Sequence, residues 1–200
     1  MPNSELRQVI STHVLEKIND IASSVANVDR FAREVVDLIR TEFKFYFMGV
    51  FLVDATGQWI CFRAGTGEAG RIMREAGHRI GIDSQGMIGI ATRENKICID
   101  DFRSSGSFFV NALPSDVQQK PTLSLQRVDD PRRPSPLLPD TRSQMIVPLR
   151  RAKGVIGAID IHSDKPDDFS SEDISVFLPI ADQIARFWIK LLEGIDKTDN

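Results

Sequence analysis

The clearest alternation of apolar and other positions lies in the last third of the chain. Met145, Val147 and Leu149 recur at the two-residue period of a strand, and a second β-rich run extends from Val155 to His162. The segment between the two runs ends in Lys153-Gly154, which has the composition of a turn. This pattern predicts a β-hairpin.

A long helix is predicted directly after this hairpin. Ser170 and Asp173 have the spacing of an approximate capping box, in which side chains satisfy backbone donors of the first helical turn. Apolar residues then recur every three or four positions as far as Leu192, so the helix has one apolar face. Pro179 removes one backbone hydrogen bond, and we expect the helix to continue past it.

The first half of the chain alternates between helical and strand patterns. Two amphipathic helices come first, from Leu6 to Val25 and from an N-cap at Asp29 to about Phe43, and the spacing in the first suits a helix–helix seam. The elements predicted next are strands at Phe45–Val53 and Gln58–Ala64, a helix at Glu68–Ala76, a strand at His78–Ile82, a helix at Met87–Arg93 and a strand at Lys96–Asp100. Short connections favour an α+β fold with one central antiparallel sheet.

Residues 102–140 show neither the helical nor the strand period. The segment is too long for an ordinary loop and is therefore a functional lid or a disordered insertion. Its apolar cluster of Phe108, Phe109, Val110 and Leu113 favours a lid that is partly docked on the domain. The expected organisation is an N-terminal amphipathic helix at residues 1–27 and one domain at residues 28–195 that contains this long loop.

Composition excludes several classes of partner. With 200 residues and 42% hydrophobic content, the chain can form one buried core. The net charge of −3 gives no general attraction for nucleic acid or an anionic membrane. The start lacks a signal sequence and no apolar run approaches the ~20 residues that span a bilayer, so we expect a cytoplasmic protein. Cys61 and Cys98 fall in predicted strands, as buried packing residues rather than a disulfide.

Five segments, taken in order along the chain, resemble the GAF domain, particularly the GAF modules found beside sensor histidine kinases and other bacterial signalling outputs. The segments are FKFYFMGVFLVDATGQW, RAGTGEAGRIMREAGHRIGI, SQGMIGIATRENKICIDD, SPLLPDTRSQMIVPLR and GVIGAIDIHSDKPDDFSSEDISVFLPIADQIA. The resemblance implies a profilin-like antiparallel sheet of five or six strands. The N- and C-terminal helices would cover one face, and short helices and loops would form a pocket on the other. Residues 104–125 resemble an insertion in the pocket-side connection.

Two short motifs have ordinary structural interpretations. Gly65-x-Gly67-x-x-Gly70 spells the dinucleotide fingerprint, but its strand belongs to a hairpin rather than to a parallel βαβ unit, so the glycines are expected to form a tight turn.

The second motif is a degraded form of the signature of cyclic-nucleotide-binding GAF domains. Lys165, Phe169 and Asp173 match that signature, whereas Asp164 and Ile174 replace its Asn and Glu. The surviving residues are interpreted as capping structure at the start of the last helix.

The candidate ligand site follows from the pocket side of the GAF resemblance. Arg79 and Arg142 offer planar donors for a carboxylate or phosphate, and His78 can change charge near neutral pH. The ordinary alternatives are that Arg142 pairs with Asp140 or Asp160, that His78 is a solvated strand edge, and that Asp160 is a satisfied buried carboxylate. The candidate residues are His78, Arg79, Ser84, Met87, Ile88, Arg142, Ser143 and Asp160.

The leading functional hypothesis is a non-catalytic, small-molecule sensory or regulatory GAF module. It would transmit the ligand state through its terminal helices, as a homodimer in bacterial two-component signalling with a histidine kinase or another output partner. The sequence shows no catalytic constellation or metal-ligand spacing, so no enzyme activity is expected, and it identifies neither ligand nor cofactor.

Two alternatives remain open at the sequence level. The first is a structural dimerisation or interaction module without a ligand. The second is an enzyme similar to free methionine-R-sulfoxide reductases, which use the GAF fold with cysteines in the pocket region. Cys98 lies near such a region, but its surroundings do not match the glycine-flanked cysteine segments of that family. Chromophore attachment is not supported, since both cysteines fall in strand patterns.

Overall fold

A computed structural model describes residues 3–102, 107–111, 123–124 and 135–196. Its helices are α1 (Asn3–Ser24), α2 (Val28–Phe43), α3 (Gly67–Glu75), α4 (Met87–Glu94) and α5 (Ile174–Asp196), the last preceded by a 3₁₀ turn at Ser171–Asp173. Its strands are β1 (Phe47–Val53), β2 (Trp59–Gly65), β3 (Arg79–Gly81), β4 (Lys96–Asp101), β5 (Ser107–Asn111), β6 (Leu123–Ser124), β7 (Ser143–Arg151) and β8 (Gly154–Ser163). None of the helices in these ranges is long and apolar enough to cross a membrane.

The described strands form one antiparallel sheet in the order β3-β2-β1-β8-β7-β4-β5-β6. The predicted α+β fold is confirmed. The six strands β3, β2, β1, β8, β7 and β4 correspond to the sheet that the sequence indicated. β5 and β6 extend it beyond β4, with Cys98 of β4 opposite Phe109 of β5. The expectation that residues 102–140 lack regular structure is therefore wrong at β5 and β6. Pairing with a distant strand edge supplies backbone hydrogen bonds that a local sequence pattern does not reveal.

The docked-lid hypothesis concerns the side chains of Phe108, Phe109, Val110 and Leu113, which lie outside the described part of the chain. Residues 103–106, 112–122 and 125–134 of the expected loop also lie outside the described part, and of β5 and β6 only the backbone is described. Residues 135–142 return to the described structure as a turn that leads into β7.

The two faces of the sheet are covered by different helices. Met145, Val147 and Leu149 of β7 belong to the larger core with α1, α2 and α5, whereas Ile146 packs with residues of α4 on the other face. This division confirms the strand alternation expected from the sequence. Helix α5 continues through Pro179, which is exposed, so the missing backbone donor lies on the solvent side.

Both helix starts that the sequence marked are capped, one of them differently from the expectation. Ser170 Oγ accepts from the Glu172 amide at 3.2 Å and Asp173 Oδ2 accepts from the Ser170 amide at 2.8 Å, which confirms the capping box. Helix α2, by contrast, is capped by Asn27, not Asp29. Asn27 Oδ1 accepts from the Asp29 amide at 2.9 Å, because an asparagine side chain two residues earlier reaches the same orphan donors.

The glycine-rich segment forms a tight strand-to-helix turn. Gly67 has φ +65°, and a Cβ on Gly70 would lie 2.1 Å from the carbonyl oxygen of Gly65, so α3 packs directly on the end of β2. Strand β2 pairs antiparallel with both β1 and β3, which is not the arrangement of a dinucleotide-binding βαβ unit.

Helices α1 and α5 lie side by side and run in the same direction. Near their starts Arg7 contacts Asp173, and farther along Gln183 Nε2 donates to Leu15 O at 2.7 Å and to Asn19 Oδ1 at 3.0 Å. The two terminal helices are therefore joined at two levels within one protomer.

Candidate ligand pocket

A cavity of about 480 Å³ lies on the face of the sheet that α3 and α4 cover. Its volume falls in the range of roughly 300–1,000 Å³ that is usual for small-molecule sites. Most of its wall is apolar, and the large apolar side chains that line it are Phe51, Met73, Ile80, Met87, Ile88, Phe102, Leu137 and Leu138.

The floor of this cavity is polar and comes from the two central strands. Asp160 and His162 alternate with Ile159 and Ile161 along β8, and the isoleucines belong to the helix-covered core. The antiparallel register places Gln144 of β7 opposite His162, so Gln144 also reaches the floor. Strand alternation and register together gather these three polar side chains.

Hydrogen bonds link the floor residues, of which Asp160 and His162 are almost completely buried and Gln144 is half-buried. Asp160 Oδ1 accepts from Gln144 Nε2 at 2.7 Å and lies 2.9 Å from His162 Nε2. The other imidazole nitrogen of His162, Nδ1, is 3.0 Å from Thr141 Oγ1. The exposed fractions of Asp160 and His162 are 4% and 5%. The network fixes the carboxylate and the imidazole ring in defined orientations.

The structure brings five of the sequence-predicted site residues to the cavity wall: His78, Ser84, Met87, Ile88 and Asp160. It does not bring Arg79, Arg142 or Ser143 there. The Arg79 guanidinium carbon lies 4.1 Å from the ring centroid of Trp59, an arrangement of the cation–π kind.

Arg142 and Ser143 are used in the connection between the central strands. Arg142 Nη1 donates to Pro139 O at 3.2 Å and to Thr141 O at 3.1 Å, and it pairs with neither Asp140 nor Asp160. Ser143 is buried and Oγ donates to Lys165 O at 2.8 Å. Ser143 precedes Gln144 on β7, and successive residues of a strand point to opposite faces.

Several lining residues were not among the sequence candidates. His162 could have been found from its position two residues after Asp160, on the same face of a predicted strand. Placing Gln144 in the pocket requires the register between β7 and β8, and placing Leu138 there requires the path of residues 135–142. A local sequence pattern provides neither. Phe51 and Met73 also line the cavity, and their apolar patterns indicated only burial.

Of the three residues that match the cyclic-nucleotide signature, Asp173 takes part in the cap, Phe169 packs beside it, and the backbone of Lys165 bonds to Ser143 and Ser163. The Phe169 ring packs 5.5 Å from Phe45, centroid to centroid, and Asp173 joins the capping box and the ion pair with Arg7. Phe169 belongs to the core on the helix-covered face of the sheet.

The cysteines lie outside the cavity wall as far as the described residues define it. Cys98 is fully buried behind α4, with Sγ 3.6 Å from Met87 O, and Cys61 is half-buried on β2. In the described ranges there is also no group of three or more His, Cys, Asp or Glu side chains that could hold a metal ion.

Comparison with solved structures gives the same fold at low sequence identity. A phycoerythrobilin-bound GAF domain from a cyanobacterial phytochrome has a TM-score of 0.70 and 13% identity, covering 93% of this chain and 98% of that one. Free methionine-R-sulfoxide reductase from Neisseria meningitidis has a TM-score of 0.63 and 16% identity, and the match covers 92% of this chain and 91% of that one. The GAF domain of the Acinetobacter phosphoenolpyruvate-protein phosphotransferase has a TM-score of 0.61 and 16% identity, and the match covers 95% of each chain.

These structural neighbours come from a phytochrome, a reductase and a phosphotransferase, so they show a shared fold and not a shared activity. No curated protein matches the chain in sequence. A family model described as GAF domain matches residues 25–188. GAF domains are in general regulatory modules that bind small molecules, and this chain belongs to the GAF domain family.

Proposed function

We propose that this protein is a non-catalytic sensory module in which a small molecule binds in the pocket and alters the packing of the terminal helices. The observation that carries the proposal is that β8 contributes residues both to the pocket floor and to the contacts between the terminal helices. Asp160 and His162 contribute to the pocket floor, and the next residue, Ser163, donates a 2.6 Å hydrogen bond to Asp168 Oδ2. A change in the floor is thus one residue away from the contacts that hold the helices.

Arg7 is the central residue of these contacts. Its Nη2 lies 2.9 Å from Asp168 Oδ2, and its Nη1 donates to Asp173 Oδ1 at 2.8 Å. The guanidinium carbon lies 5.3 Å from the ring centroids of both Phe45 and Phe169. Because all three charged side chains are buried, separating them is costly, and a displacement of Asp168 favours a matching displacement of α1.

Transmission also requires that the ligand bind two arrangements of the protein with different affinities. The segment at residues 135–138 and the α4 helix both contribute to the cavity wall, whereas the floor belongs to the central sheet. A ligand that contacts both parts can therefore favour one position of the wall relative to β8. We assign this role to the whole wall rather than to a single residue.

The proposed assembly is a cytoplasmic homodimer formed through the terminal helices, with α1 (within residues 1–27) as a signalling extension of the domain at residues 28–195. Leu6 and Val9 support this proposal because they are 53% and 72% exposed on α1 while the neighbouring Arg7 is buried. The two residues are three positions apart and therefore neighbours on the helix surface, so a second helix that packs there would remove both from water. The output partner would be a histidine kinase or another bacterial signalling domain.

Light scattering coupled to size-exclusion chromatography tests the dimer at tens of micromolar. Wild type should have twice the monomer mass, and Val9→Asp should reduce it to the monomer. Glu5→Lys, at an exposed polar position of the same helix, is the control and should remain dimeric. A monomeric wild-type protein would remove the dimer from the proposal and leave the pocket unaffected.

The sensory role itself is tested by native mass spectrometry of gently purified protein. A co-purified mass at one per protomer supports sensing. No bound mass, together with no thermal shift across nucleotides, amines, amino acids and organic acids, would instead support an interaction module without a ligand.

The reductase alternative has its own test. Two of the structural neighbours are free methionine-R-sulfoxide reductases, but Cys98 of this chain is buried outside the described cavity wall. We expect no reduction of free methionine sulfoxide by wild type. Activity that disappears in Cys98→Ser and persists in Cys61→Ser would replace the sensory proposal with an enzymatic one.

A further inference from the structure

One oxygen of the Asp160 carboxylate lacks a hydrogen-bond partner in the described structure. Oδ1 accepts from Gln144 and faces His162, whereas Oδ2 has no bond to any described residue. The side chain is only 5% exposed, and it forms part of the cavity floor. Oδ2 is not fully buried, and because Asp160 lines the cavity, a group inside the cavity can donate to this oxygen.

The arginines around the cavity are engaged elsewhere. Arg93 Nη1 donates to Ile82 O at 3.1 Å and to Ser84 O at 3.2 Å, which holds the loop before α4. Arg142 is held by backbone carbonyls, and Arg79 lies against Trp59. Among the described residues, no lysine or arginine lines the cavity; its histidines are His78 and His162, and His162 already faces Asp160. A phosphate or carboxylate group would therefore meet the Asp160 carboxylate with no lysine or arginine to offset the repulsion.

The remaining wall selects for an apolar body. Phe51, Met73 and Met87 offer an aromatic face and two flexible thioethers, which adapt to ligands of different shape. The cavity thus has one negatively charged acceptor at its floor and apolar surface around it.

We propose that the ligand is an amine: a small molecule with an apolar body and a protonated amino group that donates to Asp160 Oδ2. This inference rests on the proposed function, because it specifies which small molecule the pocket takes. Gln144 and His162 hold Oδ1, so the carboxylate is already oriented and loses little freedom when Oδ2 receives its donor. A charge-assisted hydrogen bond of this kind is stronger than a neutral one.

Matched probes test the charge preference in the wild-type protein. Phenethylamine, tryptamine and hexylamine are each compared with the alcohol and the carboxylic acid of the same body, by isothermal titration calorimetry at pH 7. For every body that binds, the amine should bind about tenfold or more tightly than the alcohol, and the carboxylate should bind most weakly. A carboxylate or an alcohol that binds as tightly as its amine would overturn the inference.

Asp160→Asn gives the residue-specific test, since it removes the charge with little change in shape. It should weaken amine binding about tenfold or more and leave alcohol binding within about twofold. Asp164→Asn, at an exposed position outside the cavity, is the matched control and should leave both unchanged. Unchanged amine affinity in Asp160→Asn would overturn the assignment, and the wild-type probe series decides the matter if this variant does not fold.

The failures of the two proposals have different signatures. If a carboxylate probe binds best, or an acid without an amino group co-purifies, the amine inference fails and the sensory function stands. If no probe gives saturable heat and no mass co-purifies, the sensory function fails and the amine inference fails with it.

Discussion

Arg7 in α1 and Asp173 at the start of α5, 166 positions apart in the chain, are joined by a 2.8 Å hydrogen bond between buried side chains. The bond fastens the first helix to the capping box of the last one. It also accounts for a charged residue on the buried face of α1, where Arg7 is covered while Leu6 and Val9 are exposed. The first prediction concerns this contact.

Arg7→Ala should lower the free energy of unfolding by about 3–5 kcal/mol, because it leaves two buried carboxylates, Asp168 and Asp173, without their cation. Urea denaturation followed by circular dichroism measures the change. Arg30→Ala is the control: Arg30 pairs with Glu34 at the surface, and its loss should cost about 0.5 kcal/mol or less. Similar effects for the two variants would contradict the structural role of Arg7.

Ser163→Ala should separate ligand binding from its effect on the helices. Its hydroxyl joins the pocket strand to Asp168 but does not line the cavity. With the tightest-binding amine probe, affinity should stay within about threefold of wild type, since the Ser163 hydroxyl lies outside the cavity and makes no contact with the ligand site. The ligand-induced change in hydrogen exchange of α1 should be lost.

Ser175→Ala is the control for the Ser163 variant, since Ser175 is exposed at the start of α5 and bonds to Gln8 of α1 only at 3.4 Å. It should keep the exchange response. If Ser163→Ala keeps it as well, the signal reaches α1 by another route.

Gly70→Ala should destabilise the protein although alanine favours helices over glycine by up to about 1 kcal/mol. The new Cβ would lie 2.1 Å from the backbone oxygen of Gly65, which cannot rotate away, so overpacking should cost about 1–3 kcal/mol. Gly86→Ala is the control because its nearest neighbour, Ser84 Oγ, is 3.4 Å away. Thermal denaturation of the two variants should therefore differ clearly, and equal midpoints would contradict the close helix–strand packing.

Thr56→Ala should raise the pKa of Asp54 toward its ordinary value. The Thr56 hydroxyl donates to this carboxylate, and the amides of Trp59, Gln58 and Gly57 assist, so the pKa of Asp54 lies below that of an ordinary aspartate. A lowered carboxyl pKa contributes stability that is present above the ordinary pKa and is lost as the pH falls through the lowered one.

Nuclear magnetic resonance titration of the Asp54 carboxyl measures this effect. Thr41→Ala, an exposed threonine on α2, is the control and should leave the titration unchanged. A pKa in Thr56→Ala equal to that of wild type would show that the backbone amides alone lower the pKa of Asp54.

The sequence predicted the fold well where local periodicity decides the structure. Alternation in β7 and β8 and the capping box at Ser170 identified the closing hairpin and helix. Strand β5 was missed because its pairing with β4 is a backbone interaction with a distant edge. Such pairing places few demands on side-chain pattern.

The site was only partly predictable for a related reason. Asp160 could be placed on a strand face, and the same alternation could have added His162. The position of Gln144 depends on the register with β8, and Arg142 is captured by the carbonyls of its own turn. Long cationic side chains have several partners within reach, so sequence proximity to a pocket does not decide where the charge goes.

The shared direction of α1 and α5 determines where neighbouring segments would attach. The chain enters beside Arg7 and Asp173, and α5 leaves this layer at the other end, about 33 Å away for a helix of the length of α1 at 1.5 Å per residue. Domains joined to the two termini would therefore lie at opposite poles, and the module would act as a link in a linear series. A rotation or sliding of one of these helices along the other would therefore change the relative orientation of the domains attached at the two ends.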